Sequence, residues 1–305
     1  MAYTHYGAID IGSNAVRLLI KRLEDDVQGR FSKDVLLRVP LRLGQEVFTT
    51  GKISDKKEQK LLDLMRAYAI VLNLYDVEKV NFRGCATASF REATNGRDII
   101  DNIRNITGLN IEIISGEEEA TIVCGLNGPT QDRTLVYVDV GGGSTEVSLI
   151  SNGQTLSRHS YPIGTVRIIN NVVAPEWQKT LTEDMNDLYR RLSMRRQPTE
   201  KKIRLVGAGG NINKLFALAT ERDTTERTMN VDELRTLHTE LSQLSVEERM
   251  VRYKLKPDRA DVIVPAAQIF LTIADALHVA EIEIPADGLA DGIIADIWTK
   301  QNKQK

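Results

Sequence analysis

The sequence VYVDVGGGSTEVSLI, residues Val136 to Ile150, places two runs of β-forming residues around three consecutive glycines. Valine, isoleucine and threonine are typical of strands, and a short glycine-rich segment between two such runs predicts a hairpin. A dinucleotide-binding fold would place a helix after its glycine loop. The residues that follow here, EVSLIS, favour a second strand instead. The stretch therefore predicts a strand–turn–strand unit with Asp139 at the end of its first strand.

The chemistry of such a turn suits an anion. Glycine has no Cβ, so the backbone can approach a phosphate closely, and successive N–H groups can point at its oxygens. The predicted phosphate donors in this turn are Gly141, Gly142, Gly143, Ser144 and Thr145. Glycine-rich hairpins are common, so one such turn is weak evidence for phosphate binding.

A second copy of the pattern lies near the N-terminus, in AIDIGSNAVRLLI, residues Ala8 to Ile20. Asp10 ends the first strand, Ser13 and Asn14 supply side-chain donors, and a β-type run follows. Two matched turns, each preceded by an acid, are much less common by chance than one. A third glycine loop, LVGAGGN, ends a predicted strand and opens a helix, where amide donors favour an anion or a nucleoside.

The rest of the chain alternates predicted strands and helices, which indicates an α/β fold. Further strands are predicted at residues 35–40, 80–85, 111–114, 158–162 and 202–207, and helices from Ser54, at 96–107, at 116–126, at 175–194, from Asn211 and within the apolar stretch 262–280. The segment ATASFREATN, residues 86–95, is predicted as a loop. The polar segment GPTQDR predicts a boundary between domains 1–127 and 128–305, with the option that the last helix packs back on the first domain.

Composition limits the partners. With 305 residues and 42% hydrophobic content, the chain can bury the cores of two domains, and a net charge of −2 offers no general attraction to nucleic acid polymers. Cys85 and Cys124 form no disulfide framework, the four histidines lack metal spacing, and no secretion signal or membrane span is recognisable. We expect a cytoplasmic protein without a membrane partner, and a homodimer is left open.

The motifs together resemble a known superfamily. DIGSN, DVGGGST and LVGAGGN resemble the two phosphate loops and the adenosine-type loop of actin-like ATPases. ATASFREATN, IISGEEEA, YPIGTVRI and PADGLADGII resemble segments of the exopolyphosphatase and guanosine pentaphosphate phosphohydrolase (Ppx/GppA) family, in its short two-domain form. Ala15 replaces the usual serine, and Ala88 and Ser89 are exchanged. The resemblance implies two actin-like (ribonuclease H-like) domains with mixed sheets flanked by helices, and an active site in the interdomain cleft.

Glu119 is the predicted catalytic residue. In SGEEEA, Ser115 and Glu118 have the spacing of a capping box, which gives Glu118 a structural role and leaves Glu119 for other work. Glu119 also occupies the position that resembles the family's catalytic glutamate. Phosphoanhydride hydrolysis needs a positioned water, and Glu119 would orient and deprotonate it.

Two sources of positive charge are predicted at the site: a metal ion held by acids beside the turns, and nearby arginines. Asp139 and Glu146 flank the second turn and suit Mg²⁺ or another divalent cation, with Asp10 as a further ligand candidate. Arg91 is expected to grip a phosphate, whereas Arg17 and Arg259 fit a salt bridge equally well. The basic run from Arg190 to Arg204 reads as a solvated helix end or as a path for a polyanion.

The predicted function is Mg²⁺-dependent removal of the terminal phosphate from inorganic polyphosphate. The family resemblance supports equally the removal of the 5′ γ-phosphate of guanosine pentaphosphate. Two functions of other classes stay open: an actin-like kinase, for which no acceptor pocket or aspartate base is identified, and a sensor that binds polyphosphate or nucleotides without turnover.

Overall fold

The computed structural model describes residues 3–26, 28–125, 134–151, 154–195, 203–219 and 227–302. The chain divides into two compact units. The first comprises the described residues of Met1–Leu126 and Asp287–Lys305, and the second those of Asn127–Ala286. The predicted boundary segment, residues 128–133, lies outside the described residues.

The first unit contains a mixed sheet in the order β3-β2-β1-β4-β5. Its strands are β1 (His5–Ile11), β2 (Val16–Asp25), β3 (Arg30–Val39), β4 (Phe82–Ala86) and β5 (Ile111–Ile113). Its helices are α1 (Leu43–Thr50), α2 (Asp55–Leu74), α3 (Ala88–Glu92), α4 (Gly96–Thr107), α5 (Gly116–Cys124) and the C-terminal helix, α13 (Leu289–Asn302). β1 pairs antiparallel with β2 and parallel with β4, which pairs parallel with β5.

The C-terminal helix lies with the first unit, which is the option that the prediction for residues 128–305 included. α13 packs against β1, β2, β4 and α5 of that unit. Gly292 explains the close approach to α5, because a Cβ at this position would lie 2.6 Å from the Ile122 carbonyl oxygen. Packing between elements distant in sequence leaves no local periodicity, so only the option that the helix returns was readable.

Three parallel strands of the first unit end at the same sheet edge. The turn Gly12–Ala15 follows β1, α3 follows β4, and α5 follows β5. Two backbone hydrogen bonds join these ends: Thr87 N–H donates to the Ile11 carbonyl at 3.1 Å, and Ile114 N–H donates to the Ala86 carbonyl at 3.0 Å. In open α/β sheets, ligands bind outside the carboxyl ends of the strands, so this edge is where a site is expected.

Two short helices of the first unit differ from the sequence prediction. The segment predicted as a loop, residues 86–95, contains α3, and α1 follows the third strand where no helix was predicted. Both are eight residues or shorter, too short for a helical hydrophobic period to repeat. Burial fixes them instead, because Phe90 of α3 and Val47 of α1 lie in the hydrophobic core.

The second unit contains a six-stranded mixed sheet in the order β10-β11-β9-β6-β7-β8. Its strands are β6 (Thr134–Val140), β7 (Thr145–Ser151), β8 (Gln154–Tyr161), β9 (Arg204–Ala208), β10 (Thr228–Asn230) and β11 (Glu281–Glu283). Its helices are α6 (Thr165–Ile169), α7 (Trp177–Arg195), α8 (Gly209–Ala219), α9 (Val231–Ser242), α10 (Val246–Arg252), α11 (Pro257–Ala260) and α12 (Ile263–Ala276). Two mixed sheets flanked by helices confirm the predicted α/β class.

Residues 136–150 form the predicted hairpin. β6 and β7 pair antiparallel from Thr134 with Ser151 to Val140 with Thr145, and β9 lies parallel to β6 on its other side. One face of the hairpin, with Val138 and Val147, packs into the core of the unit. The opposite face carries Asp139 and Glu146.

Three further expectations from the sequence concern an apolar stretch, a cysteine and a basic run. The apolar stretch 262–280 forms the buried helix α12, as predicted, and within the described residues no helix is long and apolar enough to span a bilayer. Cys85 is a buried free thiol in β4, and burial raises its pKa to about 12. The basic run from Arg190 to Arg204 lies partly outside the described residues, and Arg191 within it pairs with Asp187.

Candidate active site

The first turn is closed by one backbone hydrogen bond and supported by a helix start. Gly12 N–H donates to the Ala15 carbonyl at 3.1 Å. Gly44, in the first turn of α1, donates its N–H to the Ser13 carbonyl at 2.8 Å. A Cβ at Gly44 would lie 2.7 Å from that of Ser13. The turn is therefore held from behind by the backbone of α1.

The second turn has the same closure. Gly141 N–H donates to the Ser144 carbonyl at 2.9 Å, so it is used within the turn and does not fit the predicted phosphate contact. The start of α6 supports the turn, because Thr165 N–H donates to the Gly141 carbonyl and Val166 N–H to the Gly142 carbonyl, at 3.0 and 2.9 Å. The two turns thus share a backbone design.

Gly164 sets how closely α6 approaches the second turn. A Cβ at Gly164 would lie 2.3 Å from the Gly142 carbonyl oxygen and 2.5 Å from the carbonyl carbons of Gly142 and Gly143. All three atoms belong to backbone, which cannot rotate away as a side chain would. A glycine is therefore required here for lack of space.

The two hydroxyls predicted to bind phosphate serve protein acceptors in the structure. Ser144 Oγ donates to Glu146 Oε1 at 2.5 Å. Thr145 Oγ1 donates to the Ile163 carbonyl at 2.6 Å, and Thr145 is fully buried. The turn's backbone hydrogen bonds leave out the N–H groups of Gly142, Gly143 and Ser144, which are described residues. Backbone donors, rather than the Thr145 hydroxyl, therefore suit the phosphate.

We predict that Thr145→Val lowers stability without weakening substrate binding. The variant leaves the buried Ile163 carbonyl without its hydroxyl donor, which should reduce the free energy of unfolding by about 1–3 kcal/mol. Urea unfolding measures this loss. Steady-state kinetics on the folded variant should give an unchanged KM for polyphosphate, the substrate predicted from the sequence. A KM increase of about tenfold or more at unchanged stability would return the hydroxyl to the phosphate site.

The acids beside the second turn face each other. Asp139 and Glu146 are directly opposite in the β6–β7 register, so their side chains lie on the same face of the sheet. Glu146 is buried and accepts hydrogen bonds from the hydroxyls of Ser144 and Ser160. Asp139 lies against the start of α8: a Cβ at Gly209, whose φ is +86°, would meet Asp139 Oδ1. Both carboxylates are thus held in place.

Asp10 differs from Asp139 in its partner. In the corresponding register of the first turn, Asp10 faces Arg17, and Arg17 Nη1 lies 2.5 Å from Asp10 Oδ2. The Asp10 side chain is 4% exposed. A buried carboxylate already neutralised by a guanidinium is a poor ligand for a cation, because binding would bring two positive groups together. This pairing argues against the predicted metal role of Asp10.

The facing pair of Asp139 and Glu146 fits a magnesium ion. Mg²⁺ usually binds through one or two carboxylates and takes its remaining ligands from water and substrate phosphates. Among the described residues, no group of three or more His, Cys, Asp or Glu side chains is arranged to hold a metal. Two hard oxygen donors without a nitrogen or sulfur ligand suit this ion better than zinc.

Glu119 and Arg91, predicted separately, are brought together at the edge of the first sheet. Arg91 Nη1, on α3, lies 3.1 Å from Glu119 Oε2, on α5, and also donates to the Ile114 carbonyl at 3.0 Å. The Glu119 side chain is 13% exposed and that of Arg91 is 24% exposed. The guanidinium therefore fixes the orientation of the carboxylate beside the strand end.

The predicted capping box is only half correct. Ser115 does cap α5, accepting a hydrogen bond from Glu118 N–H at 3.1 Å. The Glu118 carboxylate instead accepts from Arg83 Nη2 at 2.5 Å, and Arg83 also contacts Glu112 and Asp296. An arginine from β4 could not be placed beside α5 without knowing the sheet order.

Two polar residues behind the second turn had no role in the prediction. Arg167 Nε donates to the Gly143 carbonyl at 2.6 Å. Asn211, in the first turn of α8, donates from Nδ2 to the Val140 carbonyl and accepts from Arg259 Nη1, each at 2.8 Å. The motifs YPIGTVRI and LVGAGGN marked these segments, but only the folded backbone shows what they hold.

Comparison with known families gives a match over most of the chain. Residues 29–301 match the model of the Ppx/GppA phosphatase family. A curated relative, the bifunctional 3-dehydroquinate synthase/phosphatase of Fusobacterium nucleatum, is 28% identical over 202 residues. The alignment covers 59% of this chain and 30% of that relative, so the chain spans less than a third of its length.

Solved structures show the same fold. An exopolyphosphatase from Cytophaga hutchinsonii superimposes with a TM-score of 0.82 at 21% identity, over 97% of this chain and 98% of that one. A Ppx/GppA family member from Aquifex aeolicus superimposes with a TM-score of 0.77 at 23% identity, over 98% and 99% of the two chains. At these identities the likeness concerns the fold.

Proposed function

Because the chain belongs to the Ppx/GppA phosphatase family, we propose that it hydrolyses the terminal phosphoanhydride bond of inorganic polyphosphate and releases orthophosphate. The observation that carries this proposal is the Glu119 carboxylate, held by Arg91 at the sheet edge where the first turn also lies. A positioned carboxylate beside a phosphate-type turn is what attack by water on a phosphorus centre requires.

Glu119 supplies the base. Its carboxylate accepts a proton from a water molecule while the water oxygen bonds to the terminal phosphorus, and the bridging P–O bond breaks. The shortened polyphosphate leaves with the bridging oxygen. Arg91 has two functions in this scheme: it orients Glu119 through the 3.1 Å contact and adds positive charge near the phosphoryl group.

The turns bind the phosphates through the backbone. In the second turn the N–H groups of Gly142, Gly143 and Ser144 are the donors, and in the first turn Ser13, Asn14 and Ala15 occupy the matching positions. The proposal assigns phosphate binding to each turn within its own unit. Its support is the likeness of the two turns in closure and register.

Asp139 and Glu146 would hold a magnesium ion beside the second turn. When bound, the ion neutralises negative charge on the phosphate oxygens. The hydroxyls of Ser144 and Ser160 donate to Glu146 and fix its carboxylate on the sheet face that also carries Asp139. Arg17 occupies the place of Glu146 in the first turn, so the proposal assigns the cation to the second turn alone.

Measuring orthophosphate release from long-chain polyphosphate, tripolyphosphate and guanosine pentaphosphate in parallel, with Mg²⁺ and with EDTA, tests the proposal. We expect release from polyphosphate to be fastest and to stop in EDTA. Fastest release from guanosine pentaphosphate, which ends in the same kind of anhydride, would keep the chemistry and change the substrate. Binding without release, or transfer of phosphate to an added sugar or acid, would contradict hydrolysis.

A further inference from the structure

In the second turn, hydrogen bonds to the carbonyl groups determine the direction of the amide N–H groups on the opposite side. A trans peptide group is planar, so the carbonyl of one residue and the N–H of the next point in opposite directions. A donor that holds a carbonyl on one side of a turn therefore fixes the following N–H on the other side. This makes the carbonyl partners of an anion-binding turn as important as its amides.

Three consecutive carbonyls of the second turn are held in this way by one segment. The acceptors are Gly141, Gly142 and Gly143, and the donors are Thr165 N, Val166 N and Arg167 Nε, with Arg167 N also 3.3 Å from the Gly142 carbonyl. The N–H groups that follow these carbonyls belong to Gly142, Gly143 and Ser144. Their orientation is therefore set by α6.

The donor to Gly143 differs from the others because it is charged. Arg167 Nε lies 2.6 Å from the Gly143 carbonyl oxygen, and Arg167 is 9% exposed. Burying a guanidinium is unfavourable unless charge or hydrogen bonding compensates for lost hydration. A neutral donor would be enough to satisfy one carbonyl. A charged donor also polarises the Gly143–Ser144 peptide and strengthens its N–H as a donor to an anion.

The first turn has a backbone donor in the matching place. Asn14 corresponds to Gly143 in the register, and its carbonyl accepts from the backbone N–H of Arg42 at 3.0 Å. Both turns are thus supported by backbone donors, and in the second turn the Arg167 guanidinium donates as well.

We propose that Arg167 is a positioning residue for phosphate binding, which acts from behind the second turn by fixing the Gly143–Ser144 peptide and placing a positive charge beneath the anion. The inference rests on the proposed function, since it assigns a phosphate to this turn. Arg167 acts through the backbone and is not assigned any contact with the substrate.

Kinetics separate the charge from the hydrogen bond. Arg167→Gln keeps a donor but removes the charge, and we expect KM for polyphosphate to rise about tenfold with kcat within about twofold. Arg167→Lys keeps the charge and should stay within about threefold of the wild-type KM. Arg252→Gln is the matched control. Arg252 is exposed on α10, so the substitution removes the same charge from the surface of the same unit and should leave KM unchanged.

The sequence offers a direct probe of the amide itself. The dipeptide Gly–Ser occurs twice, at Gly12–Ser13 and Gly143–Ser144. Labelling with carbonyl-¹³C glycine and ¹⁵N serine therefore selects two amide signals in NMR spectra, one from each turn. We expect orthophosphate to shift the Ser144 signal in the wild-type protein, with a Kd that rises about tenfold in Arg167→Gln. Comparing the Ser13 signal of the wild type with that of Arg167→Gln, both without phosphate, shows whether the substitution leaves the first turn unchanged.

The possible results separate the role of Arg167 from phosphate binding by the second turn. Equal KM and equal Ser144 response in the wild type, Arg167→Gln and Arg167→Lys would overturn the role of Arg167 while leaving the phosphate turn in place. Equal losses in Gln and Lys variants, accompanied by a lower melting temperature, would overturn it in favour of a purely structural role. If orthophosphate does not shift the Ser144 signal of the wild type, the second turn does not bind phosphate, and this result would contradict the proposed function itself.

Discussion

Glu119→Gln is expected to lower kcat for orthophosphate release by about 10³-fold, within the range that general bases contribute. The amide cannot accept the proton of the attacking water, yet it has nearly the shape of the carboxylate. Kd for tripolyphosphate should stay within about threefold, because the turns and not Glu119 bind the phosphates. Single-turnover phosphate release and calorimetric titration of the variant measure the two quantities separately.

The chain offers a matched control two residues away. Glu117→Gln removes the same charge from the same first turn of α5, where Glu117 is exposed. It should retain near-normal kcat. Comparable losses in both variants would show that the charge of the helix start matters rather than one carboxylate. Full activity in Glu119→Gln would remove Glu119 from the mechanism.

Gly164→Ala is expected to have the second largest effect, lowering kcat/KM by about 100-fold or more. A methyl group would lie 2.3 Å from the Gly142 carbonyl oxygen, so the turn and α6 must separate. Overpacking of this kind usually costs about 1–3 kcal/mol, occasionally more. The separation breaks the contacts that aim the turn's amides, so activity should fall further than stability alone explains.

Gly288→Ala controls for the change of residue type. A Cβ at Gly288 would meet no atom within 4 Å, so this variant should keep its melting temperature and activity. Thermal unfolding and kinetics of both variants, measured below the melting temperature of the less stable one, check the comparison. Wild-type kcat/KM in Gly164→Ala would show that the turn does not need the support of α6.

The sequence predicted well what depends on local backbone. Both turns, with Asp10 and Asp139 at the ends of their first strands, followed from strand-forming runs around glycine-rich or polar residues. The position of Glu119 one residue beyond the N3 residue of α5 also followed from local spacing, since Ser115 caps the helix as predicted. Such features need only the few residues around them.

What the sequence could not predict depends on partners far along the chain. The Thr145 hydroxyl was assigned to phosphate because the type of residue suited it, but Ile163 comes 18 residues later and takes that hydrogen bond. Asp10 and Asp139 looked equivalent until the register placed Arg17 opposite one and Glu146 opposite the other. Predicting such differences requires the strand register to be known to the residue, because an error of one residue moves every side chain to the opposite face of the sheet.

The central claim is that the turn in each unit binds phosphate through its backbone amides. Titration of the doubly labelled Glu119→Gln protein with tripolyphosphate tests this most directly, because the Ser13 and Ser144 amides each report on one turn. The account predicts that tripolyphosphate shifts both signals. The absence of a shift in either signal would contradict it.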